Sequence, residues 1–229
     1  MTMDANRRQL RERFIARLLE HGPSSVLDVG CGGGELLAAC RAAGAVAWGV
    51  EPWPKPEAGA AGARLIAARA EALPLPADAV AWATLRHVAH HLVNPARALA
   101  ELMRVARVGV MVAEPYYDLN VPSQRLGSDF DRWLKQRDRE RGEPHRDVLP
   151  AAELLAGLGP GAGCRVSVES YLELTPWQRA DVDSEVQSSV GERALAERER
   201  ATLAPFLEAS DRGDMTLAGT VIVTLRKRV

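Results

Sequence analysis

Cysteine, lysine and aromatic residues are scarce in this chain, and each scarcity excludes something. Of the 229 residues only Cys31, Cys40 and Cys164 are cysteines. They form no CxxC pair and no closely spaced ligand set, so neither a zinc ribbon nor an iron–sulfur cluster is expected, and no other metal site is read from the sequence. Their odd number argues against a secreted disulfide framework. Aromatics make up 5% of the chain, so the core has to be built from Leu, Val and Ala. Lysine is limited to Lys55, Lys135 and Lys227, which we read as genome composition. Excess charge of one sign is also missing. The 29 basic and 30 acidic residues leave a formal net charge of −1, without the footprint of a dedicated nucleic-acid binder, whose affinity comes mostly from neutralised phosphates. The longest uncharged stretches, Leu154 to Cys164 and Met215 to Leu225, have about 11 residues, too few to span a bilayer. No apolar signal core follows the N-terminal charges, and Asp4, Glu12 and Glu20 count against a transit peptide. A cytoplasmic protein without a membrane or nucleic-acid partner is expected.

What is present is an alternation of helix and strand patterns. Leu10, Phe14, Leu18 and Leu19 recur at helical spacing over 7–20, and His21-Gly22-Pro23 closes that helix. Val26 to Val29 is a short apolar run followed by Gly30-Cys31-Gly32-Gly33-Gly34. A helix is expected over 35–43, capped by Gly44, and a second strand over Val46 to Val50 ending at Glu51. This is a βαβ unit with a glycine-rich first turn and an acid at the end of its second strand. The Ala-rich stretch 57–70 reads as helix, Ala79 to Leu85 as strand, 93–105 as helix and Val108 to Ala113 as strand. Further on, 151–158 reads as helix, and 165–174 and 217–225 as strands. Two connections are longer than a plain crossover needs: 116–147, with seven acids and seven bases, and the polar helical segment 176–210. The alternation supports an α/β fold with a mainly parallel, doubly wound sheet covered by helices on both faces.

The string Asp28-Val29-Gly30-Cys31-Gly32-Gly33-Gly34 has two glycine-rich relatives that it fails to match. A P-loop requires Lys-Ser or Lys-Thr after its last glycine, and Glu35-Leu36 follows here. The dinucleotide fingerprint requires glycine at position 35. The string VLDVGCGGG instead resembles the first motif of the class I S-adenosylmethionine-dependent methyltransferases. Ala70-Glu71-Ala72-Leu73-Pro74-Leu75-Pro76 is similar to a second segment of that family, and His90-His91-Leu92 with Asn94-Pro95 and Glu101-Leu102-Met103-Arg104-Val105 to a third. The resemblance covers about 24–115. It implies a Rossmann-like, seven-stranded mixed sheet in one domain, 1–229, with a last antiparallel strand at the sheet edge and lid segments over 116–147 and 176–210.

The resemblance also implies a cofactor, S-adenosyl-L-methionine, and a set of residues to hold it. Asp28 would attract the cationic tail, Gly30, Cys31 and Gly32 would let backbone approach, and Glu51 would accept the ribose hydroxyls. Ala70 and Glu71 would edge the adenine. Arg69 stands where many members have Asp, which passes that acid's role to Glu71. Ala81 replaces an acid that usually opens the fourth strand, and Arg107-Val108-Gly109 replaces a Pro-Gly-Gly turn. Ligands of open α/β sheets sit outside the carboxyl ends of the strands, which adds Leu85 and Arg86 to the cofactor set. The same rule makes His87, Glu114 and Tyr116 catalytic candidates, with His87 the best placed base. His145 joins them as a lid histidine, and Tyr116, Tyr117 and Trp133 as walls for an apolar substrate. His90 and His91, adjacent on a helix start, point different ways and read as packing. The expected reaction is methylation of a small molecule at O, N or C by a monomer or homodimer. Two rivals are an RNA or protein methyltransferase, supported only by Arg7, Arg8, Arg11 and Arg13, and an inactive cofactor-binding regulator.

Overall fold

A computed structural model describes residues 2–54, 64–148, 152, 155, 163–191 and 194–228. In chain order the elements are α1 (Met3–Glu20), β1 (Ser25–Val29), α2 (Glu35–Ala42), β2 (Val46–Glu51), β3 (Arg64–Ala67) and β4 (Val80–Arg86). A 3-10 turn (Ala89–His91), α3 (Pro95–Val105), β5 (Ala106–Tyr116) and α4 (Pro122–Glu140) follow. The chain then continues through β6 (Cys164–Tyr171), α5 (Arg179–Val190), α6 (Glu197–Arg212) and β7 (Gly219–Lys227). Of the helix expected at 151–158 only residues 152 and 155 are described, both helical, and the start of the one expected at 57–70 lies outside the described residues.

The seven strands form one sheet in the order β3-β2-β1-β4-β5-β7-β6. The pairs β1–β2, β1–β4, β2–β3 and β4–β5 are parallel. β6 and β7 run in opposite directions. Arg228 N–H bonds the Gly163 carbonyl at one end, and Gly219 lies against the Tyr171 carbonyl at the other. The sheet is therefore mixed, as the resemblance implied. Two expectations are corrected. Residues 64–67 are strand, not helix, because Leu65 and Ile66 pair with Gly49 and Val50 along the sheet edge. β7 lies between β5 and β6, so β6 forms the other edge. The missing Pro-Gly-Gly turn also has an explanation. α3 passes straight into β5, and a Cβ on Gly109 would lie 2.5 Å from the Leu225 carbonyl of β7.

Local signals set the elements that matter for a site. Gly34 (φ 83°) and Gly44 (φ 86°) bracket α2 in the left-handed region that glycine enters without a Cβ penalty. Asn94 caps α3 by accepting from Arg97 N–H at 3.0 Å, with Pro95 in the first turn. Ala98, Leu99, Leu102 and Val105 form its buried stripe.

The chain divides into two compact units. The first, here the sheet unit, comprises Arg11–Glu114, Leu149–Glu169 and Val221–Val229. Val26, Leu27, Leu37, Trp82, Leu85, Leu102 and Met111 are buried there. The second, the helical unit, comprises Met1–Leu10, Pro115–Val148 and Ser170–Thr220. Its core gathers Phe130, Trp133, Trp177, Val182, Leu203 and Met215, with Phe130 edge-on to Trp177 at 5.2 Å between centroids. Among the described residues no helix is long and apolar enough to cross a membrane.

Gly127 of α4 tests the packing of the helical unit. In an exposed helix interior, alanine is favoured over glycine by about 1 kcal/mol. Here a Cβ would fall 2.1 Å from the Thr216 carbonyl, which is backbone and cannot rotate away. Gly127→Ala should therefore lower stability by about 1–3 kcal/mol, read as a lower urea midpoint. A midpoint at or above wild type would contradict this contact.

Candidate active site

The strand order reverses at β1: β2 and β3 lie on one side, β4 and β5 on the other. Right-handed crossovers send the helices of the two halves to opposite faces, leaving a crevice at the carboxyl ends of β1 and β4. Most of the residues singled out from the sequence lie around that crevice.

Asp28 pairs in register with Thr84 and Gly49. It is 5% exposed, and Thr84 Oγ1 donates to its Oδ1 at 2.7 Å. Burial pushes its carboxyl up to about 6, against the Thr84 hydrogen bond and the Arg86 charge, which pull it down. Gly30 (φ 76°) donates to the Val50 carbonyl at 2.8 Å. A Cβ there would lie 2.2 Å from Val88 Cγ2. Gly32 (φ 52°) donates its N–H to Glu51 Oε1 at 2.7 Å. Added Cβ atoms at Gly32 and Gly33 would meet nothing within 4 Å, so this part of the loop presents bare backbone to open space. The Cys31 thiol turns inward: Sγ would lie 2.6 Å from a Cβ on Gly49, and burial pushes it up to about 12. It is therefore not a nucleophile, and packing occupies its side chain.

Strand periodicity groups the charges. Residues two apart on a strand share a face, so Glu51 (two beyond Gly49) and Arg86 (two beyond Thr84) lie on the same face as Asp28. The Leu85 side chain, 1% exposed, is buried on the other face. Arg86 is half-buried and makes no hydrogen bond or ion pair among the described residues. It interacts at longer range with Asp28 and Glu35, and with Arg11 repulsively.

His87 leaves β4 at φ 55°, a left-handed conformation uncommon for a residue with a side chain. Its N–H is held by the Ala113 carbonyl at 2.7 Å. The turn that follows is fixed from β5. Glu114, fully buried, accepts from Val88 N–H at 3.1 Å and Ala89 N–H at 2.9 Å, and lies 2.5 Å from His90 Nδ1. Burial acts to raise its carboxyl, but the His90 hydrogen bond, the neighbouring histidines and the Ala89 N–H hold it below the ordinary value. His90 is buried and His91 exposed, yet their rings lie 4.2 Å apart between centroids, so the two side chains turn toward each other, not apart as expected.

The two further motifs engage each other. Arg104 donates to the carbonyls of Leu73 (3.1 Å) and Leu75 (2.7 Å), and Glu101 accepts from Leu73 N–H at 2.9 Å. Arg104 holds the Glu101 carboxyl at about 2. Ala70 is buried. The Glu71 carboxylate receives Asn94 N–H at 3.4 Å and lies 3.9 Å from Arg69 Nε. The sequence pattern flagged both segments without showing that one clamps the other.

Tyr116 and His145 belong to the helical unit. Tyr116 ends β5 half-buried. Tyr117 is buried, and burial raises its hydroxyl well above the ordinary value. Trp133 lies in the helical core and donates to Thr202 Oγ1 at 3.1 Å. His145 Nδ1 lies 2.5 Å from Asp138 Oδ2, which orients its ring. Sequence reasoning missed Val88, the residue that makes Gly30 obligatory, and the His90–Glu114 contact. Neither carries a local pattern.

Asp28 carries a stability signature. Its folded value of about 6 lies above that of an unfolded aspartate, roughly 3.9. The native state holds the extra proton between them, so stability from this group is present below about pH 4 and is lost as pH rises through 6. Asp28→Asn keeps an acceptor for Thr84 and removes the charge. It should stabilise the unliganded protein at pH 8 by on the order of 2–3 kcal/mol, with the difference vanishing near pH 4. Urea titrations at both pH values read it, and equal stabilities at pH 8 would refute it.

The family described as Methyltransferase domain matches residues 3–166, well over half of the chain. No curated protein matches the sequence. Among solved structures the fold is similar to that of the YcgJ protein from Bacillus subtilis, at 16% identity, 95% coverage of this chain and 99% of that one, and a TM-score of 0.65. It is also similar to a SAM dependent methyltransferase from Archaeoglobus fulgidus, with 17% identity, 95% and 94% coverage, and a TM-score of 0.58. A third is geranyl diphosphate C-methyltransferase from Streptomyces coelicolor A3(2), a complex with Mg2+, geranyl diphosphate and S-adenosyl-L-homocysteine, with 13% identity, 96% and 80% coverage, and a TM-score of 0.58. The chain belongs to the methyltransferase-domain family and has the fold of the class I S-adenosylmethionine-dependent enzymes.

Proposed function

We propose that the protein transfers a methyl group from S-adenosyl-L-methionine to an O, N or C atom of a small molecule. The observation that carries this reading is the face of the β1/β4 crevice on which Asp28, Glu51 and Arg86 stand beside the bare backbone of Gly32 and Gly33. That donor set fits the cofactor's chemistry. A desolvated carboxylate suits its ammonium, an acid at the end of β2 suits its ribose, and side-chain-free backbone allows close approach. Glu51 already accepts one hydrogen bond, from Gly32. A carboxylate has about four acceptor sites, so capacity for two ribose hydroxyls remains. The backbone of Gly30, Cys31 and Leu85, with Ala70 and Glu71 at the adenine edge, completes the set.

When bound, S-adenosyl-L-methionine supplies a methyl group activated by a sulfonium. The protein has to orient the acceptor in line with it and exclude water. A hydroxyl or ammonium acceptor also has to lose a proton. His87 is our candidate to take that proton. Glu114 holds the 88–90 turn and so positions His87 without touching the acceptor. A near-neutral charge favours a small acceptor over RNA.

Thermal denaturation with S-adenosylhomocysteine tests the cofactor. At ~100 times its Kd the ligand should stabilise the fold by about 2.7 kcal/mol, or about 5–10 °C in Tm for a chain of this size. Glu51→Ala should shrink that shift. No shift at millimolar ligand refutes the reading, and a larger shift with NAD points to a dehydrogenase.

A hydroxyl acceptor tests the base. His87→Asn, whose side chain tolerates the left-handed backbone, should lower kcat by roughly 10²–10⁴ and remove the acid limb of the pH profile between pH 6 and 9. Cofactor affinity should stay nearly unchanged. A loss below about threefold would make His87 a wall residue, with proximity alone driving transfer.

A further inference from the structure

The two edges of the sheet differ. β3 has four residues, and a short strand offers little for another chain to pair with. β6 has eight, without proline or glycine, and among the described residues no strand lies beyond it. Backbone alternation identifies its open groups. The Gly163 carbonyl accepts from Arg228, just past β7, and the Tyr171 carbonyl also lies toward β7, against Gly219. Every second residue between them turns its N–H and C=O the same way. The N–H and C=O of Val166 and Val168 therefore face away from β7, along the open edge. A row of this kind is a template for a further strand.

The side chains of β6 narrow what that strand can be. Val166 and Val168, 44% and 47% exposed, stand side by side on one face. Arg165, Ser167 and Glu169 share the other. Arg165 is exposed and makes no ion pair among the described residues. Glu169 receives Arg17 at 2.5 Å on one carboxylate oxygen, and a carboxylate has about four acceptor sites. The run Arg165-Val166-Ser167-Val168-Glu169 is its own antiparallel complement. Turned end over end about Ser167, it sets Arg165 opposite Glu169 and Val166 opposite Val168. The backbone agrees with that register. Val166 and Val168, whose groups face outward, become hydrogen-bonded pairs. Arg165 with Glu169, and Ser167 with itself, become the non-hydrogen-bonded pairs, where facing side chains come closest. Centring the pairing on Val166 or on Val168 instead puts Arg165 or Glu169 opposite Ser167 and loses the ion pairs.

We propose that β6 is a dimerisation edge, which pairs with β6 of a second copy of this chain, antiparallel and centred on Ser167, and joins two seven-stranded sheets into one. Val166 exchanges both backbone hydrogen bonds with the partner's Val168, and the two valines cover each other on one face. Arg165 meets the partner's Glu169 on the other face. The contact is isologous, as a two-fold axis requires, so it closes at the dimer and leaves no open β6 edge to propagate. β5 and β7 stand between β6 and β4, so the pairing draws on no residue of the crevice and does not depend on the methyltransferase reading.

Sedimentation velocity over a concentration series reads the assembly. Wild type should pass from monomer to dimer mass as concentration rises, with no larger species. Val168→Pro removes an N–H from the open edge without touching the ladder to β7. It should weaken dimerisation by about 10- to 100-fold, since the symmetry doubles the loss, and circular dichroism should show the chain still folded. Arg165→Glu and Glu169→Arg each set like charges opposite one another at both ends, so each chain alone should stay monomeric. Mixed, the two restore both ion pairs and should dimerise, which also shows that both variants fold. With Cys164→Ser as background, Ser167→Cys should lock into a disulfide-bonded dimer on mild oxidation, because the central pair brings its Cα atoms to about 4.5 Å. Val166→Cys in the same background should not lock. Wild type that stays monomeric throughout overturns the proposal. So does a dimer that Ser167→Cys does not lock, or that the mixed charge variants do not re-form, because either result places the contact elsewhere.

Discussion

Val88 occupies the place where any side chain at residue 30 would have to go. The loop after β1 and the loop after β4 emerge side by side from parallel, adjacent strands, and both have to turn at the same level. They fit only because one of them carries no Cβ at the contact. An alanine at position 30 would force Val88 out, and Val88 is tied by its N–H to Glu114. Displacing it would pull on the whole 87–91 turn, including the left-handed backbone of His87. Gly30, Val88 and Glu114 thus form one continuous constraint across β1, β4 and β5. The positions of Asp28, Arg86 and His87 all follow from it.

The charges on the crevice face sit against the interests of the fold. A buried aspartate pushed up to about 6 and a half-buried arginine without a contact partner among the described residues both cost folding free energy. The sheet unit offsets this with close packing: Leu37, Cys31 and Leu65 crowd around Gly49 beneath the same face, and every residue of β4 before Arg86 is buried. Strain and desolvation of this kind concentrate where a ligand is to be met. Glu114 presents the opposite case. It is as buried as Asp28, but three protein donors surround it and hold its carboxyl below the ordinary value. The number of donors around each acid separates Glu114, which supports the turn, from Asp28, which receives one hydroxyl.

The helical unit is organised by a different principle. Its core rests on aromatic contacts, Phe130 against Trp133, Trp177 and Phe206, in a chain with few aromatics to use. Its charges lie in networks along α4, where Arg137 bonds Glu140 and Glu199 while its guanidinium covers the Trp133 ring at 4.9 Å. The equal count of acids and bases in 116–147 is the trace of those networks. Trp133 therefore serves as core in its own unit.

The sequence by itself determined the parts whose cause is local. Gly34 and Gly44 mark the ends of α2 because only glycine enters that backbone region freely, and Asn94-Pro95 starts α3 because its first turn needs a cap. The string from Asp28 to Gly34, with Glu51 beyond it, announced the crevice because glycine spacing and strand ends are properties of adjacent residues. Tertiary structure decided everything that depends on which strands become neighbours. The Ala-rich composition around 57–70 suggested helix, yet Arg64–Ala67 became strand because β2 had a free edge for it to pair with. β7 was inserted inside the sheet, next to a Gly109 that leaves room for its backbone. Glu114 and His90 lie 24 residues apart, and no periodicity relates them. Only the alignment of β5 beside β4 turns a strand-end acid into the support of a turn. Arg86 likewise reads as an ordinary surface arginine until the β1–β4 register sets it, desolvated, on the face of Asp28.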